Sequence, residues 1–85
     1  MIWASFFTRA AEKNLRKIPD KDLGYIQKAL EQMIQNPFFG DVVKLEHQAG
    51  AYRRRVGNWR IFFDADSLER TITITAIERR TSNTY

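Results

Sequence analysis

Residues 52–63 read Tyr-Arg-Arg-Arg-Val-Gly-Asn-Trp-Arg-Ile-Phe-Phe, and they leave little choice of local structure. Gly57-Asn58 is a two-residue loop that suits a β-hairpin, because the primed turns match the twist of paired strands and open readily with glycine. In that register Val56 faces Trp59, Arg55 faces Arg60, Arg54 faces Ile61 and Arg53 faces Phe62. Alternation along a strand then puts Arg53, Arg55, Arg60 and Phe62 on one face, and Tyr52, Val56, Trp59, Ile61 and Phe63 on the other. The second set is a core face. The first gathers three guanidinium groups, and like charges directly opposite one another destabilise a sheet. An anion is the partner such a face lacks; a solvated surface and a dock for an acidic protein are the competing readings.

With 85 residues the chain has room for a single domain, 1–85, around one modest core. It has no cysteine, which removes disulfides and thiolate zinc sites, and its one histidine, His47, cannot build a metal site alone. Neither a metal nor another cofactor is expected. No basic segment followed by an apolar run opens the chain and no run approaches membrane-spanning length, so the expectation is a soluble, cytoplasmic protein with no membrane partner. The net charge is +4 and the isoelectric point near 9.8, which points to a polyanion, most often nucleic acid. Arg53, Arg54, Arg55, Arg60, Arg70, Arg79 and Arg80 all lie in the second half. Arginine's planar fork matches phosphate oxygens in pairs, which a lysine ammonium does not.

Around the hairpin the remaining elements fall in order. Residues 2–7 are short and aromatic-rich, with Trp3 and Phe7 on one parity and Ile2 and Phe6 on the other, the pattern of a strand buried on both faces. Thr8 offers a helix N-cap, and Ala10, Ala11, Leu15 and Ile18 mark the apolar side of a short helix ending before Pro19. Asp20 is expected to cap a second helix over 21–35, whose Leu23, Ile26, Leu30, Met33 and Ile34 recur at three- and four-residue spacing. The two helices form an antiparallel hairpin. Asn36-Pro37 stops the second, and 37–51 is a loop with one short strand at 41–45. Lys44, Glu46 and His47 sit in that segment.

Residues 64–69 make a turn, and 70–77 alternate threonine with isoleucine. Regular alternation places Ile72, Ile74 and Ala76 on one face and Thr71, Thr73, Thr75 and Ile77 on the other, with Arg79 following the threonines. If that face continues the arginine face of the hairpin, Arg79 joins Arg53, Arg55 and Arg60. The resulting order of strand, helical hairpin and three antiparallel strands is an α+β sandwich with helices on one sheet face and arginines on the other. Such an open face suits RNA, whose unstacked bases rest on aromatic or guanidinium planes while its phosphates pair with charge.

Tyr52-Arg-x-Arg-Val-Gly-x-x-Arg60-Ile, then Ile77-x-Arg79 and Tyr85, with Pro37 and Lys44-Leu45 upstream, resembles the RelE/ParE superfamily of bacterial type II toxins, and within it the RelE-like messenger-RNA interferases. The resemblance covers essentially the whole chain. It implies a RelE-like toxin fold and a metal-independent endoribonuclease that cleaves mRNA at the ribosome, the 2′-hydroxyl attacking to leave a 2′,3′-cyclic phosphate. It also implies a cognate antitoxin as protein partner, and a toxin–antitoxin complex that binds its operator DNA through the antitoxin. Carried over by position, the site comprises Arg53, Arg55, Arg60, Arg79 and Tyr85, with Glu46, His47 and Glu78 as weaker acid–base candidates and Lys44, Arg54 and Arg80 as further RNA contacts. The familiar pattern has lysines where this chain has Arg53 and Arg55, and many relatives have a histidine where Glu78 stands. An arginine stays protonated and is no base. The alternatives are the ParE branch, which shares much of the motif but inhibits DNA gyrase without cutting RNA, and a non-catalytic module that binds only antitoxin or RNA.

Overall fold

The structure, a computed structural model, describes residues 2–46 and 48–80. In chain order it comprises β1 (Ala4–Phe7), α1 (Arg9–Arg16), α2 (Asp20–Gln35), β2 (Val42–Lys44), β3 (Ala51–Val56), β4 (Trp59–Asp66) and β5 (Thr71–Arg79). The α+β class is the expected one. The sheet is larger than the three antiparallel strands expected: all five strands join it in the order β1-β5-β4-β3-β2, with β1 parallel to β5 and the other pairs antiparallel. The strand at 41–45 is β2, an edge. At the opposite edge β1 is not buried on both faces, since Ile2 and Phe6 are exposed. Among the described residues no helix is long and apolar enough to cross a membrane.

Local chemistry sets the element ends. Thr8 caps α1 as expected, its hydroxyl accepting from the Ala11 N–H at 3.1 Å. The N-cap of α2 is Pro19, and Asp20 is the first helical residue rather than the cap. The hairpin has the expected register from Arg53↔Phe62 to Val56↔Trp59. Gly57 takes φ +59 while Asn58 does not turn left-handed, the pattern of a type II′ turn. The helices then pack Ala11, Ile18, Ile26, Ala29 and Met33 against Ile61, Phe63, Ile72, Ile74 and Ile77, with Trp3 closing one end.

β5 departs from regular alternation. Phe62 pairs with Ala76 and Phe63 with Ile74, so Thr75 is an extra residue, a bulge. The core demands it: Ile77 lies three residues beyond Ile74, a spacing that a regular strand splits between two faces, yet both are buried. Three side-chain hydrogen bonds satisfy the disturbed ladder. The Thr75 hydroxyl donates to the Phe62 carbonyl at 3.2 Å, the Thr8 hydroxyl donates to the Thr75 carbonyl at 3.1 Å, and the Ile77 N–H donates to Asn14 Oδ1 at 3.0 Å. Beyond the bulge parity is reversed. Glu78 stands opposite Arg60, and Arg79 stands opposite Trp59 on the helix side.

The loop after α2 is fastened by Arg54, which is buried at 8 % exposure on the helix side of the sheet. Its Nη2 donates to Gln32 Oε1 of α2 at 2.6 Å. Gly40 lies against the guanidinium with φ +92, and a Cβ added there would stand 3.1 Å from Arg54 Cζ. Beside it an aromatic series runs from Trp3 through Phe38 and Tyr52 to Phe63, with ring centroids 5.8, 5.1 and 5.6 Å apart.

Two stability outcomes follow from these contacts. Asn14→Ala strips the bulge's N–H of its acceptor, and urea denaturation should show a loss of roughly 1–3 kcal/mol, the usual cost of an orphaned buried donor. Gly40→Ala adds a Cβ against Arg54 in a left-handed backbone, and the same measurement should show a loss of roughly 1–3 kcal/mol.

Candidate functional site

The open face of the sheet is built from one row of register partners. Arg55 on β3 pairs with Arg60 on β4, which pairs with Glu78 on β5; the next row contains Arg53, Phe62 and Ala76. Three of the four arginines expected to share a face therefore do so. Their electrostatic problem is met in part by one carboxylate. Asp41 Oδ2 lies 2.8 Å from Arg55 Nε, and its carbonyl accepts the Arg55 N–H at 2.9 Å, so the β2 edge clamps this arginine twice. Glu78 stands in register beside Arg60. Arg53 has Phe62 and Val43 as its cross-strand neighbours. The Nε atoms of Arg53 and Arg60 are buried and have no hydrogen-bond partner among the described residues. Such unpaired buried donors are uncommon in folded proteins, and Arg54 Nε and Nη1 on the helix side are in the same condition.

Next to the arginines lies a hollow of about 230 Å³ whose walls include Leu45, Gln48, Phe62, Asp64, Thr75, Ala76 and Glu78. It offers a half-buried aromatic ring and acceptor groups beside a cluster of cations. A planar ring that stacks on Phe62 and carries a phosphate toward Arg53 and Arg60 has the matching chemistry.

Several expected site residues stand elsewhere. Arg79 does not join the open face: the bulge at Thr75 sends it to the helix side, where its Cζ lies 5.9 Å from the Trp59 ring centroid. Arg80 takes its place. The Arg80 N–H donates to the Asn58 carbonyl, continuing the ladder one residue past β5, and alternation then sets Arg80 on the face of Glu78 and Arg60. Arg54 is no surface contact, being buried against Gln32 and Gly40; desolvation lowers its pKa from the ordinary arginine value, with the nearby Asp41 charge opposing that shift. Lys44 is exposed at the sheet edge and pairs with Tyr52, which gives it helix-side parity. Glu46 is exposed in the loop after β2 and does not line the hollow. His47 and Tyr85 lie outside the described residues. Asp41, Asp64 and Gln48 were absent from the expected site. Hairpin alternation reached Phe62, but nothing local in the sequence marks Asp41 as a clamp.

The family model for the ParE toxin of the type II toxin–antitoxin system parDE matches residues 6–83. Among curated proteins none matches the chain in sequence. The fold is similar to that of solved toxins. The RelBE2 toxin–antitoxin complex from Mycobacterium tuberculosis superposes with a TM-score of 0.82 at 23% identity, over 94% of this chain and 100% of that one. The archaeal RelE–RelB complex from Pyrococcus horikoshii OT3 gives 0.81 at 21% identity, over 96% and 99%. The isolated E. coli RelE toxin gives 0.82 at 14% identity, over 95% and 87%. The family match takes in both helices and strands β2 to β5, including the arginine row and the bulge, and so the chain belongs to the ParE toxin family of the RelE/ParE superfamily and is a toxin of a type II toxin–antitoxin system.

Proposed function

We propose that this toxin is a metal-independent endoribonuclease that cuts messenger RNA at the ribosome, and that a cognate antitoxin silences it. The observation that carries the reading is the open-face row itself: Arg53, Arg55 and Arg60 crowd together beside Phe62, and among the described residues only Arg55 of the three has an ion pair. A stable sheet gains nothing from that crowding without an anion.

In the reaction the 2′-oxygen attacks the neighbouring phosphorus and the bond from phosphorus to the 5′-oxygen breaks. The products are a 2′,3′-cyclic phosphate and a 5′-hydroxyl. Arg60 and Arg80 stabilise the extra negative charge that builds on the phosphoryl oxygens, a task suited to groups fixed before the reaction begins. Arg53 grips a flanking phosphate, and Arg55 does so by exchanging Asp41 for it. Phe62 stacks on a base. Glu78, in register with Arg60, receives the 2′-hydroxyl proton, while the leaving 5′-oxygen takes its proton from water. A carboxylate is a far weaker base than the alkoxide its action must generate, so much of the rate must come from a substrate already held in line, as the ribosomal decoding site would hold it.

One observation favours a second reading. The matching family model is that of the ParE toxin, the branch associated with gyrase in the resemblance drawn above. The purified chain in a translating bacterial extract separates the two. Message 5′ ends mapped after addition should show cuts within codons, reduced by a factor of about 10²–10³ in Arg60→Ala and in Arg80→Ala, the usual loss on removing one charge-stabilising donor. Intact message together with blocked gyrase supercoiling would move the protein to the gyrase reading. Glu78→Gln should lose cleavage by a factor of about 10²–10⁴ while retaining RNA binding. Full activity in that variant would remove Glu78 from the mechanism.

A further inference from the structure

The parity change at Thr75 does more than exclude Arg79 from the arginine face. It delivers Arg79 to a second hollow, of about 310 Å³, on the other side of the same end of the sheet. Lys21, Asp22 and Tyr25 of α2 form one wall, and Val56, Trp59 and Arg79 form the other. The volume is at the small end of those that hold small organic ligands. The chemistry is mixed: an indole plane, a phenol ring exposed at 68 %, an aliphatic floor and two cations. Asp22 is the one carboxylate in the lining, and its Oδ2 is occupied by the Trp59 indole N–H at 3.2 Å. That bond fixes the indole edge. The guanidinium of Arg79, 5.9 Å from the ring centroid, is at the outer limit of a cation–π contact and remains available to an anion.

The position of this hollow relative to the open face identifies its occupant. The last row of the sheet is Val56, Trp59 and Arg79, all directed to the hollow; the row before it is Arg55, Arg60 and Glu78, on the open face. On each of the three strands, one peptide step therefore links the residues of the two sites, whose side chains leave opposite faces of the sheet. An anionic strand gripped by Arg55 and Arg60 has merely to pass round the Gly57-Asn58 turn to find another aromatic platform flanked by cations. Those are the two components of a single-stranded nucleic-acid track, stacking planes and a line of positive charge.

We propose that the hollow between α2 and the β3–β4 turn is a second RNA subsite. A nucleotide flanking the one held on the open face seats its base against Trp59 and Tyr25, and its phosphate between Lys21 and Arg79. The inference rests on the RNA-cleaving reading above and extends it from one face of the sheet to a path around its end. Lys21 and Tyr25 are exposed on α2 and take no part in the core, so their removal leaves the fold intact.

The test uses the full chain at low salt with two fluorescent RNAs whose 2′-hydroxyls are methylated to prevent cleavage. One is a dinucleotide, too short to leave the open face; the other is about eight nucleotides long, within the usual range of single-strand sites. Lys21→Ala with Tyr25→Ala should weaken the longer RNA roughly tenfold, the loss expected for one unstacked base, and leave the dinucleotide unchanged. Arg60→Ala should weaken both. Unchanged binding of the longer RNA in the Lys21/Tyr25 variant, with Arg60→Ala still weakening it, would overturn the second subsite and leave the ribonuclease reading standing. Indifference of both RNAs to Arg60→Ala, or no binding by the intact protein, would overturn the two together. If the Lys21/Tyr25 variant loses only its antitoxin, the hollow is a protein dock and the proposal fails.

Discussion

Three isoleucines of β5 must reach the core, and because Ile77 lies three residues beyond Ile74, the strand has to break its alternation at Thr75. The break leaves polar backbone groups that a buried sheet cannot tolerate unpaired. They are met by the Thr75 hydroxyl, by Thr8 at the N-cap of α1 and by Asn14 within it. Everything downstream of that stitch depends on it. With a regular register Arg79 would share the open face with Arg60, Glu78 would face the helices, and the second hollow would lose its guanidinium. A demand of the hydrophobic core therefore decides which charges meet on a surface, and the first helix, remote from the arginines in sequence, becomes part of what positions them.

The four arginines from Arg53 to Arg60 are in different electrostatic states, although the sequence writes them alike. Arg54 has exchanged water for Gln32, Gly40 and the edge of the core, and pays in desolvation. Arg55 is half-neutralised by Asp41 across the sheet edge. Arg60 has Glu78 as a register neighbour, and Arg53 has apolar ones. The gradient from clamped to unpaired runs across one face. An arriving phosphate then gains most at Arg53 and Arg60, which have no ion pair among the described residues, and must compete with a carboxylate at Arg55. Such competition disfavours loosely fitting anions, since only a ligand that reaches several arginines at once recovers the lost ion pair.

Much of the architecture was legible because it rests on short-range rules. The hairpin register, the Thr8 cap, the two helices and the end of α2 at Asn36-Pro37 each follow from residues within a turn or two of one another. What was not legible depends on contacts distant in sequence. The threonine and isoleucine alternation of β5 reads as one regular strand, and only the pairing of Ile77 with Ile61 reveals the bulge. Arg54 faces Ile61 in the hairpin register, on the core side, but nothing local shows that Gly40 and Gln32 enclose it. Asp41 has no local signature at all, because its meaning comes from β2 joining the sheet edge beside Arg55. The arginine face was therefore visible in outline, while its boundary residues, Arg79, Arg80 and Asp41, waited on the long-range register.

The same register lays out the proposed path on a small sheet. A flat face bearing three arginines would hold a strand only along its own width. Here the tight turn at Gly57-Asn58 ends the sheet abruptly, and the rows on either side of that end expose cations and aromatic rings to opposite faces. Had the loop been longer, the two faces would be separated by a mobile segment with its own entropy to lose on binding. The two-residue turn removes that cost. It makes the rim rigid and keeps Trp59 and Arg60, adjacent in sequence and opposite in orientation, at a fixed separation, so that one hairpin aligns both halves of the proposed path.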